Sequence, residues 1–104
     1  MQQMRIGSGQ TTPGSTPWVQ YGASGLTVTI DTSQGDFSAT PIYTSSLGGD
    51  GGHWDMVGTS AIYNASAKSF VIYIHSFDNR PLTPAAANGS RWHINWVGVQ
   101  LFPG

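Results

Sequence analysis

The strongest constraint in this chain is a period of two. From Ser69 to Phe77, Phe70, Ile72 and Ile74 fall on one side and Val71, Tyr73 and His75 on the other. Successive side chains of an extended strand point to opposite faces, so the pattern belongs to a strand and not to a helix. Leu26–Ile30 alternates apolar and polar residues in the same way. Thr40–Leu47 and Thr59–Asn64 are two further strand candidates, with Pro41 confined to the beginning of the first. Arg91–Leu101 sets Trp92, Ile94 and Trp96 on one face, and Met4–Ser8 adds an edge strand. The intervening loops are announced by turn-forming residues: Thr11–Pro17, Asp31–Asp36, Gly48–Gly52, Asn64–Lys68 and Asp78–Gly89. Pro84–Ala87 offers one helical turn at most, closed by Asn88 and Gly89. The expected fold class is therefore all-β: a six-stranded antiparallel β-sandwich, with residues 1–104 as one domain.

Apolar residues on both faces of Ser69–Phe77 add a second expectation. A chain of 104 residues has little material of its own to cover Val71 and Tyr73. Self-association would cover them, and a symmetric oligomer is expected. The competing reading is an ordinary exposed apolar patch.

Charge narrows the function classes. Only 9% of residues are charged, against roughly 25% in an average soluble chain. The bases Arg5, Lys68, Arg80 and Arg91 are scattered, whereas displacing counterions from phosphates takes a cluster, so no nucleic-acid partner is expected. No apolar run approaches the roughly 20 residues of a membrane-spanning helix, so no membrane insertion is expected. Met1–Gln10 has no apolar core of a signal peptide. Cysteine is absent, which removes disulfides, zinc thiolates and thiol nucleophiles.

Catalysis has little to work with. Hydrolysis calls for paired carboxylates, or for a nucleophile beside a histidine and an acid. The acids are Asp31, Asp36, Asp50, Asp55 and Asp78, with no glutamate and no telling spacing. The expectation is a protein that is not an enzyme and uses no cofactor. His53, His75 and His93 would need a coincidence of folding to form a zinc site, and the strand positions of His75 and His93 favour hydrogen bonding within a sheet. Asp50 in the Gly48–Gly52 run resembles a calcium loop but lacks the neighbouring acids such a loop needs. No metal is expected.

The loops rich in aromatic and planar polar groups carry the better signal. They are His53, Trp54 and Asp55; Phe77, Asp78, Asn79 and Arg80; and Arg91 with Trp92. Carbohydrate sites are built from such parts. An aromatic face stacks on a sugar's C–H patch, while Asp, Asn and Arg bond pairs of hydroxyls. The equally weighted structural reading makes Trp54 and Trp92 core residues and Asp78–Asn79 a local turn.

The order of these features resembles the H-type lectins, small six-stranded β-sandwiches that trimerise and bind N-acetylgalactosamine or galactose. Arg5–Gly9 resembles the family's opening strand, with Trp18 in the next loop. Ile30–Phe37 with Thr40–Tyr43, the Tyr63–Phe70 spacing and Ile94–Val99 resemble later family segments. A loosely described group of bacterial modules is more similar still. It shares Asp31–Ser33, Ser46–Gly49, His53–Trp54, Ile62–Tyr63, Leu82–Pro84 and Trp92–Trp96. The resemblance implies a multivalent, metal-independent glycan-binding module, extracellular or on a cell or virion surface. It also implies a sugar site at Phe77 and Asp78, with Asn79 beside them. Here an aromatic and an acid replace the family's Trp-His pair. The family's basic position falls on Val57 and its tyrosine near Ser90. Arg80 and Arg91 are the bases available as substitutes, and His53, Trp54 and Asp55 complete the expected ligand-binding set. The alternative from the same residues is an assembly module, a trimerisation domain or fibre head without a small ligand.

Overall fold

In the computed structural model, which describes residues 3–102, the chain forms seven strands and one short helix. They run in the order β1 (Gln3–Gln10), β2 (Val19–Gln20), β3 (Gly25–Asp31), β4 (Ile42–Gly48), β5 (Met56–Val57), β6 (Ser69–Ser76), α1 (Pro84–Gly89) and β7 (His93–Phe102). A 3-10 turn, Ser33–Gly35, follows β3. Two antiparallel sheets result, with strand orders β1-β7-β4 and β2-β3-β6-β5. The fold is all-β and sandwich-like. Two of the seven strands have only two residues each, so the long strands of the sequence reading carry the architecture.

The alternation translates directly into packing. Leu26, Val28 and Ile30 of β3 pair with Ile74, Ile72 and Phe70 of β6, and all six are fully buried. Tyr43 of β4 and Ile94 and Trp96 of β7 meet them from the other sheet. Each such side chain contributes about 1.5–3 kcal/mol by leaving water. The Phe37 ring lies against the facing glycines Gly7 and Gly98. A Cβ at Gly98 would stand 2.8 Å from the ring's Cζ, so only glycine leaves room there.

Three local outcomes differ from the alternation alone. Thr59–Asn64 is not a strand; it keeps one bridge, Tyr63 to Val71, while the edge strand forms earlier, at Met56–Val57. Gly58 explains the shift. Its φ of +89° turns the chain away, and a Cβ there would stand 2.4 Å from the Tyr73 carbonyl oxygen. The second difference is the helical turn, which runs to Gly89; Thr83 caps it by accepting a hydrogen bond from the Ala86 amide at 3.1 Å. The third concerns Tyr73. The chain itself half-covers it, with the rings of Tyr21 and Tyr63 edge-on at 4.9 and 5.1 Å. The barer apolar surface is the outer face of the other sheet. There Ile6, Val99 and Ile42 form one row, with Met4, Leu101 and Val97 beside it.

Candidate functional site

The loop before β5 and the turn after β6 lie side by side because those two strands pair. Met56 faces Ser76 and Val57 faces His75. One residue further on, the Phe77 amide donates to the Asp55 carbonyl at 3.2 Å. The ladder therefore brings His53–Asp55 against Phe77–Arg80, two segments that the sequence keeps more than twenty residues apart.

Arg80 ties the two together. Its Nη2 donates to Asp55 Oδ2, and its Nε donates to Asp78 Oδ1 at 3.0 Å. The Asp78 carboxylate also accepts from the Arg80 amide at 3.3 Å. The hydrogen bond from Arg80 holds the Asp78 carboxyl below its ordinary range, and the same bond raises the Arg80 guanidinium above its own. Asp55 is the buried member, with its side chain only 10% exposed. Asp55 Oδ1 and His53 Nδ1 are sealed from solvent with no hydrogen-bond partner.

The turn itself is fixed by its residues. Asn79 adopts a left-handed φ of +59°, which asparagine tolerates better than most. Its amide donates to the Ser76 carbonyl at 3.3 Å. The fully buried Ser76 Oγ donates to the Arg80 carbonyl at 2.9 Å and locks the return. The sequence reading missed Ser76 as a positioning residue. The signal was present: it is the polar member of the inward series Phe70, Ile72, Ile74, Ser76.

The aromatic residues divide. Trp54 is 85% exposed and Phe77 is 63% exposed, one on each of the two joined segments. Trp92 is core; its Nε1 donates to the Gly51 carbonyl at 2.8 Å, and His53 packs edge-on to its ring. The core reading thus holds for Trp92 and fails for Trp54. Arg91 stands apart, at a left-handed φ of +58° just before β7. Its Nε lies 3.9 Å from Asp50 Oδ1, and both side chains are exposed. Among the described residues no contact joins Arg91 to the Arg80 group.

The histidines are also separated by the fold. His53 lies on Trp92, the His75 ring meets the Ser76 carbonyl, and the His93 ring meets the Arg91 carbonyl. Among the described residues no three His, Asp or Glu side chains gather as a metal-holding group. Chemically, the Trp54–Arg80 surface offers two apolar rings, a planar cation with unused donors, and carboxylate and amide acceptors.

No family model matches the chain, and no curated protein matches it. Among solved structures, the tailspike protein gp49 from Pseudomonas phage LKA1 is similar, with 16% identity and a TM-score of 0.47. The similarity covers 94% of this chain, which spans 15% of the length of that tailspike chain.

Proposed function

We propose that this protein is a carbohydrate-binding, lectin-like module that recognises glycans without metal or catalysis. The observation that carries the reading is the exposure of Trp54 and Phe77, one on each of the two segments that Arg80 ties together. Arg80 is fixed in place by Asp55 and Asp78 before any ligand arrives. Such a surface stacks a sugar ring and bonds its hydroxyls. Affinity for one sugar is low on so open a surface, and several copies held together raise avidity through effective concentration. The bare outer face of β1-β7-β4 is the surface we assign to self-association as a homotrimer or hexamer.

Glycan-array binding followed by titration of the best sugar tests this. Trp54→Ala and Phe77→Ala abolish binding while the melting temperature stays within a few degrees. A broad array without a hit, with folded protein confirmed, overturns the reading. The exposed apolar face favours the alternative, an assembly module without a small ligand. In that case the same two variants change nothing, and substitutions at Ile6 or Ile42 disperse the oligomer.

A further inference from the structure

Three of the four tryptophans are core residues, and one is hydrogen-bonded differently from the other two. The Trp18 and Trp92 indole N–H groups each donate to a backbone carbonyl, at 3.2 and 2.8 Å. Buried indoles ordinarily find such a partner. Trp96 is 3% exposed, and among the described residues its Nε1 donates to nothing. It is not among the sealed unpartnered atoms, so the N–H reaches open space. Trp96 lines a cleft of about 240 Å³ that also takes in the loop from β1 to β2 and the edge of β3 at Thr29–Asp31.

Gly9 leaves the Trp96 N–H uncovered. The two residues face each other across β1 and β7. A Cβ at position 9 would stand 2.7 Å from Trp96 Nε1 and 2.6 Å from Gln34 Nε2. The remaining lining mixes polar residues, among them Gln10, Thr29, Asp31 and Gln34, with the apolar Pro17 and Ile30. Gln34 Nε2 is held by the Ser8 carbonyl at 2.9 Å, which leaves its Oε1 as a free acceptor. Asp31 Oδ1 accepts from the Ser33 amide at 2.9 Å, and a carboxylate has lone pairs for further donors. The hydrogen bonds from Ser33 keep that carboxyl below its ordinary range, so it is an acceptor only at neutral pH. The lining holds no basic side chain.

We propose that this cleft is a second binding site, specific for a neutral polyhydroxylated ligand such as one pyranose ring. A hydroxyl both accepts and donates. One hydroxyl can take the Trp96 N–H while its neighbours donate to Gln34 Oε1 and the Asp31 carboxylate. An anion meets a carboxylate and no cation. A quaternary cation meets only the edge of the indole, since the ring face is buried. The volume equals that of about eight water molecules, the scale of a single sugar ring. The cleft is independent of the Trp54–Arg80 surface. Asp31 pairs with Ser69 at the start of β6, whereas Phe77 follows its end, about 26 Å of extended chain away.

The test is a two-dimensional 1H–15N titration of the full chain that follows all four assigned indole N–H signals. The probes are galactose, glucose, mannose, glycerol and tetramethylammonium, each added alone. The Trp96 signal shifts saturably with at least one pyranose, and its affinity is unchanged when salt rises from about 0.05 to about 0.5 M. Glycerol acting as strongly as the sugars identifies a general polyol cleft, and pyranoses acting alone identify a saccharide cleft; both support the proposal. Gln34→Ala and Asp31→Asn each weaken the Trp96 response about tenfold. Gly9→Ala abolishes it by covering the N–H. A Trp96 signal that stays still with every polyol, moves without saturating, or responds to tetramethylammonium overturns the proposal. So does an undiminished response in both Gln34→Ala and Asp31→Asn. Movement of the Trp54 signal reports on the other surface and is scored separately.

Discussion

The Tyr43 hydroxyl sits at a junction whose loss can be worked out in advance. It donates to the Ser66 carbonyl at 2.6 Å and accepts from the Thr32 hydroxyl at 2.6 Å. Thr32 is fully buried and Tyr43 nearly so. The pair links β4 in one sheet to the turn after β3 in the other, and to the loop that leads into β6. Tyr43→Phe keeps the ring and its packing on Phe70 and Trp96. It leaves the Thr32 hydroxyl and the Ser66 carbonyl without partners. An unsatisfied buried polar group costs about 1–3 kcal/mol. Water reaches the half-buried Ser66 more readily than Thr32, so the combined loss is about 2–3 kcal/mol. For a domain of this size that lowers the melting temperature by about 10–20 °C. Urea denaturation of Tyr43→Phe, Thr32→Val and the double variant gives the cycle. The double variant costs about 1 kcal/mol less than the sum of the two, because both single changes break the same bond. A Tyr43→Phe protein within about 0.5 kcal/mol of the parent refutes the assignment of an inter-sheet tie to this hydroxyl.

Other outcomes follow from the same geometry. On the outer face of β1-β7-β4, Met4, Ile6, Ile42, Val97 and Leu101 are 40–66% exposed. They offer roughly 500 Å² of apolar surface, near the upper end for monomers and below the roughly 800 Å² per partner of a standard interface. Sedimentation of the parent shows an oligomer, and Ile6→Asp with Ile42→Asp shows a folded monomer; a monomeric parent sinks this interface. For pH, the folded-state Asp78 carboxyl lies below its unfolded value. Its contribution is therefore complete above the usual aspartate range near about 4 and is lost as pH falls through the lower folded value. Acid unfolding of Asp78→Asn is accordingly flatter than that of the parent, and identical acid limbs contradict the Arg80 tie. Thr83→Ala removes the helix cap and costs about 1 kcal/mol by thermal melting, with no change in sugar binding.

Much of the fold was legible because strand alternation is a local property of the backbone. Ser69–Phe77, Leu26–Ile30 and Arg91–Leu101 each match an observed strand to within two residues at either end. The inward faces of Leu26–Ile30 and Ser69–Phe77 follow the same period, whereas the pattern leaves Trp92 open between core and ligand surface. Thr59–Asn64 failed for a reason that lies outside the segment. It has the composition of a strand, but Gly58 and the close approach of the Tyr73 carbonyl turn the chain off the sheet edge before it. The strand pattern begins at Arg91, yet the left-handed backbone of that residue places it in the preceding turn. Composition marks His53–Asp55 and Phe77–Arg80 as separate candidate loops, and the β5–β6 register sets them side by side, because local pattern says nothing about which strand edges meet.

The sequence by itself determined the class of fold, the faces that turn inward and the loops that carry the few charges. It also determined that carboxylates are scarce. Tertiary structure alone decided which tryptophan stands in solvent, which aspartate Arg80 grips and which indole N–H opens into a cleft. The physical reason is range. Alternation is set by bonds between neighbours, whereas exposure and ion pairing depend on register between strands far apart in the chain. Trp54 and Trp92 show this plainly. Each follows a loop rich in turn residues, yet Trp92 packs into the core and donates to the Gly51 carbonyl while Trp54 stands bare.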